Sequence, residues 1–148
     1  MLPLAGVVAM ASVKEKGSVG QGIMAVMMTS NVTRFYKNWV PEARPPQYPM
    51  NNASLYGSFP SSHTSFCFCG AGLVQKAYGF KRALPFYLYA SAIGLSRIWL
   101  HCHYAHDVMA GAVLGAKIAF SSGHWFESLQ WVPTPSHEGG MISWAVHF

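Results

Sequence analysis

Residues able to bind and attack an anion are concentrated in the middle of this 148-residue chain. His103 and Asp107 are four residues apart, so on a helix the carboxylate could hold one imidazole nitrogen and leave the other basic and nucleophilic. The Pro-Ser-Ser-His stretch at 60–63 is a helix-start signal, and the backbone N–H groups and positive dipole end of a new helix favour an anion. Together they predict an activated histidine beside an anion site.

Four apolar segments must position these residues: 19–36, 64–78, 83–99 and 108–120. None reaches the ~20 apolar residues of an ideal membrane span, but each is nearly long enough if its polar ends lie at an interface or inside a bundle. Only 10% of the residues are charged, against about 25% in an ordinary soluble domain. This favours an all-α, polytopic membrane bundle over the alternative, the buried helices of a soluble protein.

Two further features bear on the elements. Segment 37–60 holds five of the nine prolines, so no long helix can run through it. Gly111 and Gly115, in the last apolar segment, form a small-residue pair at a spacing that allows close helix packing.

The distribution of positive charge gives an orientation. The formal net charge is +5, but no Lys/Arg cluster exceeds the pair at 81–82, which argues against a nucleic-acid surface. If the segments cross a membrane alternately, one set of cations falls on a single, cytoplasmic side: Lys14, Lys16, Lys76, Lys81 and Arg82. The opposite side receives Arg34, Lys37, Arg44 and Arg97. This second set violates the positive-inside tendency unless its members have a function.

The cysteines and the remaining histidines leave an alternative open. Cys67, Cys69 and Cys102 cannot all pair, and the first two are too close for a relaxed bridge, so we interpret all three as small buried apolar residues. The histidines outside the motifs are expected to be structural: His101, His106, His124, His137 and His147. The alternative is a non-catalytic membrane metal or haem binder that uses His101, Cys102, His103 and His106, with Cys67 and Cys69.

Three motifs resemble those of the type 2 phosphatidic acid phosphatase family, which also includes vanadium haloperoxidases. In order they are Lys37-x6-Arg44-Pro45, the 60–63 stretch, and Ser96-Arg97-x5-His103-x3-Asp107, and they cover about half the chain. One departure is Ser62, where the family most often has glycine. The family uses the backbone N–H at this position, so Ser62 can still donate if it does not need a positive φ.

The resemblance implies a role for each motif residue. His103 would attack phosphorus and form a phosphohistidine, with Asp107 orienting its ring, and His63 would protonate the leaving oxygen and later activate water. The phosphate oxygens would be bound by cations and backbone N–H groups, namely those of Lys37, Arg44, Arg97, Ser61 and Ser62. No metal or other cofactor is expected, because fixed cations supply the charge that Mg²⁺ provides elsewhere.

The resemblance also implies an organisation and a function. We expect a single membrane phosphatase domain over residues 1–148, with a recognisable core at about 19–122 and a tail at 123–148. It would be a shortened version of the family's six-helix bundle, with the site on the periplasmic, extracellular or lumenal side. The expected substrate is a lipid phosphate or a lipid or polyprenyl diphosphate, and the bilayer is the expected partner. A vanadate-dependent haloperoxidase-like enzyme is the catalytic alternative; headgroup and oligomeric state stay open.

Overall fold

Four α-helices make up the fold in the computed structural model, which describes residues 16–48 and 56–129. They are α1 (Lys16–Trp39), α2 (Ser62–Tyr78), α3 (Phe80–Trp99) and α4 (Ala105–Leu129). Within those ranges there is no β-strand, and an isolated bridge pairs Ala43 with Tyr56. The all-α prediction is therefore confirmed for the described part of the chain. Each apolar segment of the sequence lies in one helix.

The connections bring four helix ends together. A single residue, Gly79, separates α2 from α3, and its φ of 83° lies where glycine is favoured. A short turn then joins α3 to α4. As a result, the carboxyl ends of α1 and α3 and the amino ends of α2 and α4 lie at the same end of the bundle, which is the end that carries the motif residues.

Helix α2 is the centre of the bundle and packs against each of the other three helices. The main core cluster consists of small and medium side chains, among them Ala25, Cys69, Ile118 and Ala119. Cys67 and Cys69 are buried and unpaired, as expected. Cys102 is also unpaired but only partly buried, so the expectation that it is buried is wrong. The core is therefore built by close approach of helices rather than by large side chains.

The predicted close packing at Gly111 and Gly115 is confirmed. A Cβ atom built on Gly111 would lie 2.7 Å from the carbonyl oxygen of Ser61. At Gly115 it would overlap the carbonyl oxygen of Ser65 and lie 2.9 Å from the backbone nitrogen of Cys69. The two glycines thus let the backbones of α2 and α4 touch.

The described helices differ from the sequence prediction in two respects. Helix α4 continues past Phe120 to Leu129, beyond the apolar segment that predicted it. In addition, no helix in residues 16–48 and 56–129 is both long enough and apolar enough to qualify as a bilayer span.

Candidate functional site

A cavity of about 190 Å³ lies where the four helix ends meet. It is lined by Lys37, Arg44, Tyr48, Ser62, His63, Arg97, Cys102 and His103. Six of the eight residues expected at the site line it. The other two, Ser61 and Asp107, are fully buried behind its wall. Tyr48 and Cys102 were not expected, because they lie between the motif residues rather than in them.

The contact between His103 and Asp107 is present, but it arises differently from the prediction. Nδ1 of His103 is 3.6 Å from Oδ2 of Asp107, and both side chains are buried. Helix α4 begins at Ala105, so the expectation that both residues sit on one helix face is wrong. His103 instead lies in the preceding turn, where its N–H and that of Cys102 donate to the carbonyl of Arg97. The end of α3 therefore fixes the histidine.

The Asp107 carboxylate is held in its charged form. Its Oδ2 accepts hydrogen bonds from the Ser58 hydroxyl at 2.5 Å and from the backbone N–H of Tyr104 at 2.9 Å. Burial alone would raise the pKa of Asp107, but its interactions with His103, Ser58 and Tyr104 outweigh that effect and lower the pKa below its usual value. The carboxylate is thus available to face a positive imidazolium.

Ser58 is a site residue that the sequence reasoning missed. Besides donating to Asp107, its Oγ is 3.4 Å from Nδ1 of His103. Its position is fixed because the N–H groups of Gly57 and Ser58 both donate to the carbonyl of Glu42. Ser58 precedes the Pro-Ser-Ser-His stretch in an irregular loop, so no periodicity pointed to it; only its nearness in sequence to that stretch could have done so.

Each of the three cations is held by a neighbouring polar group. The Lys37 ammonium donates to the carbonyl of Gly57. Arg44 donates from Nη1 to the carbonyl of Cys102 at 2.8 Å and stacks over Tyr48, with its guanidinium carbon 4.5 Å from the ring centroid.

Arg97 donates from Nε to the Ser96 hydroxyl at 3.2 Å. Among the described residues no ion pair joins it to Asp107, so the bundle salt bridge that is the simplest structural role for this arginine is not formed. Arg97 therefore remains at the cavity wall with Lys37 and Arg44.

Burial and like charge weaken the proton affinity of two groups at the cavity, both outside the four apolar segments. Burial, with the neighbouring charge of Arg44, lowers the pKa of Lys37 to about 8, while Asp107 opposes the shift. Burial also lowers the pKa of His63, and the positive charges of Arg97, His103 and Lys37 add to the effect. Burial is the larger cause of both shifts and the positive neighbours add to it, so a bound anion would favour the protonated form of each group.

The two serines before His63 have different surroundings. The expectation that the N–H of Ser61 faces the substrate is wrong, because it donates to the carbonyl of Asp107 at 3.0 Å. Ser61 thereby ties the start of α2 to the start of α4. Ser62 is the first residue of α2 and lines the cavity. Among the described non-glycine residues only His101 has a positive φ, so Ser62 occupies the usual glycine position without that requirement.

The histidine and cysteine cluster of the metal-binding alternative does not form in the described part of the chain. Of His101, Cys102, His103 and His106, only His106 belongs to a group with metal-ligand spacing, and its companions there are Glu42 and Asp107. His101 is exposed. The side chains of His124, His137 and His147, expected to be structural, lie outside the described part.

Curated relatives match parts of the chain at more than 30% identity. It is 36% identical over 75 residues to lipid A 1-phosphatase of Porphyromonas gingivalis, covering 49% of this chain and 17% of that protein. It is 31% identical over 101 residues to phosphatidylglycerophosphatase B of Bacillus subtilis, covering 60% and 48%. A 32% identical match to the bacitracin transport permease protein BcrC of Bacillus licheniformis covers 66% and 48%. The chain thus spans at most about half the length of these relatives.

Solved structures share the fold, and a family model covers most of the chain. LpxE of Aquifex aeolicus superposes with a TM-score of 0.66 at 25% identity, covering 76% of this chain and 70% of that one. The phosphatidylglycerolphosphate phosphatase of Bacillus subtilis gives 0.61 at 23% identity, covering 87% and 68%. The PAP2 superfamily model matches residues 18–131, which contain all three motifs, helices α2 to α4 and all of α1 except its first two residues. The chain belongs to the PAP2 superfamily.

Proposed function

We propose that this chain is a phosphatase of the integral membrane type, which hydrolyses a lipid phosphate or lipid diphosphate through a phosphohistidine. The observation that carries the proposal is the buried His103, backed by the Asp107 carboxylate at 3.6 Å and facing a cavity with three cations in its wall. A nucleophile, its orienting carboxylate and charge for the phosphate oxygens thus lie in one place.

The reaction follows from which atoms face the cavity. Nδ1 of His103 faces Asp107, which leaves Nε2 to attack phosphorus. The N–P bond forms as the bond to the leaving oxygen breaks, and His63 gives that oxygen a proton. Water then attacks the phosphorus of the phosphohistidine while His63 takes a proton from that water. The N–P bond breaks as the new O–P bond forms, which releases phosphate and regenerates His103.

The cations stabilise the charge that spreads over the phosphoryl oxygens. Lys37, Arg44 and Arg97 lie around the cavity, and Ser62 lies at the amino end of α2, where a helix dipole favours an anion. A bound phosphate dianion would offset the positive surroundings of His63 and raise its pKa, which prepares it to act as an acid.

The size of the cavity favours a phosphate group rather than a whole lipid. Its volume of about 190 Å³ is below the roughly 300–1,000 Å³ of pockets that enclose drug-sized ligands. The rest of the substrate would therefore stay outside. The relatives' names refer to lipid A and phosphatidylglycerophosphate, in which a phosphate projects from a lipid.

The exterior of the bundle supports placement in a bilayer. Large apolar side chains point outward along the helices rather than into the core: Ile23, Met27, Leu84, Leu88, Leu95, Met109, Val113 and Phe120. At the cavity end Trp39 and Trp99 are 71% and 85% exposed, and tryptophan is enriched at membrane interfaces. In this placement the cavity opens at the outer membrane surface.

The test is phosphate release from a panel of lipid phosphates and diphosphates by detergent-purified protein, with EDTA or orthovanadate. Orthovanadate adopts the five-coordinate geometry of the phosphoryl transition state, so it should inhibit more strongly than phosphate does. EDTA should not lower the activity, because the proposed steps use no metal. Loss of activity in EDTA together with stoichiometric bound zinc or iron would overturn the proposal.

Variants assign the chemistry to the two proposed residues. His103→Ala should abolish phosphate release, whereas Asp107→Asn should retain vanadate binding but slow the chemical step. His101→Ala is the matched control, since this histidine is exposed in the same turn and should keep wild-type activity. Full activity in His103→Ala would contradict the mechanism.

A further inference from the structure

Glu42, His106 and Asp107 converge on the far side of Asp107 from His103. Nε2 of His106 is 2.7 Å from Oε1 of Glu42 and 3.2 Å from Oδ1 of Asp107. The three ligand atoms all lie within 4.8 Å of one another. Glu42 comes from the loop after α1, whereas the other two residues lie in the first turn of α4. The cluster therefore depends on the fold and not on a local sequence motif.

One atom of this cluster lacks a donor. Oδ1 of Asp107 is buried and accepts no hydrogen bond, because the approach of His106 at 3.2 Å does not have hydrogen-bond geometry. Nε2 carries at most one proton, and the Glu42 oxygen is the nearer acceptor. A buried carboxylate oxygen without a donor is unfavourable, and a cation bound between the three ligand atoms would remove that penalty.

We propose that Glu42, His106 and Asp107 form a binding site for a transition-metal dication of the Zn²⁺ type. An imidazole nitrogen with two carboxylate oxygens is a donor set that Zn²⁺ accepts, whereas Mg²⁺ and Ca²⁺ prefer oxygen ligands alone. Tetrahedral zinc with bonds near 2.0 Å places neighbouring ligand atoms about 3.3 Å apart. The Nε2–Oδ1 separation of 3.2 Å already matches, and the Glu42 oxygen, now 2.7 Å from Nε2, would move away from that nitrogen on metal binding.

The surroundings hold the ligands in place and leave a route for the ion. The His106 ring stacks against Tyr104, with centroids 5.5 Å apart, and against Phe59, at 6.3 Å. The other oxygen of Asp107 is fixed by Ser58. Such outer contacts orient metal ligands. His106 is 58% exposed, so an ion reaches the site from solvent without passing through the catalytic cavity.

Metal binding here would inhibit the phosphatase, and this consequence rests on the proposed function. Asp107 stabilises positive charge on His103 during attack, and an ion on Oδ1 would draw that negative charge away. The expected effect is a fall in kcat with little change in KM, because Zn²⁺ does not enter the phosphate cavity.

The experiment separates metal binding from activity. Metal-free protein in detergent is titrated with Co²⁺, whose visible absorption reports tetrahedral coordination, and then with Zn²⁺ in competition with a coloured chelator. We expect one ion per chain in the wild type. In His106→Ala and Glu42→Gln we expect the metal affinity to be at least about 10- to 100-fold weaker. Loss of a residue that only supports a metal ligand already has an effect of this size, so loss of a ligand itself should weaken binding at least as much. His101→Ala, a neighbouring exposed histidine outside the cluster, should bind like the wild type.

Phosphate release is then measured with and without Zn²⁺, each variant being compared with its own metal-free rate. Inhibition that is present in the wild type and in His101→Ala, but reduced in the two cluster variants, supports the proposal. Absent Co²⁺ absorption, or binding equal in all four proteins, would overturn the site. Binding without any change in kcat would overturn its coupling to Asp107. Absent phosphate release in metal-free protein would instead overturn the proposed function, and the Co²⁺ titration still reads the site.

Discussion

Asp107 connects His103, the proposed nucleophile, with the rest of the site through different atoms of one carboxyl group. Oδ2 faces His103 and accepts from Ser58 and Tyr104, while Oδ1 faces His106. Even its backbone takes part, because its carbonyl accepts the N–H of Ser61. A small displacement of Asp107 would therefore move His103 and the start of α2 together.

Replacing Ser58 by alanine should slow catalysis without weakening substrate binding. Its hydroxyl donates to the charged Asp107 at 2.5 Å, and a hydrogen bond to a charged group contributes about 1.5–3 kcal/mol. If this hydrogen bond stabilises the transition state more than the bound substrate, its loss lowers kcat by about 10- to 100-fold. Steady-state kinetics checks the result, with Ser91→Ala, an exposed serine of α3, as the control. Recovery of kcat in Ser58→Thr would separate hydroxyl positioning from simple packing, and an unchanged kcat in Ser58→Ala would contradict the role.

The pH dependence should differ between the free and the substrate-bound protein. Because burial and the nearby cations lower the pKa of His63 below 6.5, and the proposed acid must be protonated, kcat/KM should fall as pH rises through a value below 6.5. Bound phosphate raises this pKa, so the corresponding limb of kcat should lie at higher pH. Rate profiles and NMR titration of His63 in inactive His103→Ala measure both states; a free-state pKa above 6.5 would contradict the argument.

At this scale the sequence could predict residues with motif spacing but not those brought in by the loops. The histidines and cations were found because helix starts and charge placement made them unusual. Glu42 and Ser58 were missed because each lies in a proline-rich segment, where backbone bonds rather than periodicity decide which residues meet. Ser61 was assigned the wrong role because a sequence does not show which N–H groups of a helix start have a partner.

The charged side chains at the helix ends around the site have the sign that the helix dipoles favour. α1 and α3 end at the site with Lys37 and Arg97 in their last turns, where the dipole is negative, and Asp107 lies in the first turn of α4, where it is positive. The cations of the cavity thus also stabilise the helix ends that carry them. The positions of the helices were predicted well from the sequence, because each apolar segment lies within one helix.

Helix boundaries were predicted less well than helix positions. α4 extends to Leu129 although its apolar segment ends at Phe120, since a helix can continue through polar residues once it is nucleated. His103 was placed on this helix because its spacing from Asp107 equals one helical turn. The turn at 101–104, with the positive φ of His101, produces nearly the same contact without a helix.

The contact between α2 and α4 should not tolerate one added methyl group. In Gly115→Ala the Cβ would overlap the carbonyl of Ser65, a backbone atom that cannot turn aside. Overpacking of this kind destabilises by about 1–3 kcal/mol, which exceeds the about 1 kcal/mol that alanine gains over glycine in a helix. We therefore expect a lower Tm in detergent and reduced phosphate release. Val113→Ala, an exposed position on the same helix, is the control; a Gly115→Ala Tm equal to wild type would contradict the packing argument.

Across the whole molecule, the two ends of the bundle carry cations with different surroundings. At the end away from the cavity Lys76, Lys81 and Arg82 are exposed. At the other end Lys37, Arg44 and Arg97 line the cavity. The sequence already indicated this division, because only one of the two sets agrees with the positive-inside tendency.

Topology can be tested with single engineered cysteines in intact cells. In a Cys102→Ser background, which removes the cysteine of the cavity wall, exposed Ala43 and Ala77 are each replaced by cysteine. An impermeant maleimide should label Ala43→Cys at the cavity end and leave Ala77→Cys unlabelled until the cells are permeabilised. Labelling of Ala77→Cys in intact cells would reverse the proposed orientation.

In the proposed bilayer placement, the exposed Trp39 and Trp99 beside the cavity determine how the substrate would reach the site. With these rings at the headgroup level, a phosphate-bearing lipid reaches His103 by lateral diffusion and never has to leave its leaflet. The rate then depends on how many neighbouring lipids carry phosphate and not on how much lipid the solution contains. Diluting the substrate with inert lipid at fixed bulk concentration would slow turnover, whereas adding more vesicles of the same composition would leave the rate per bound enzyme unchanged.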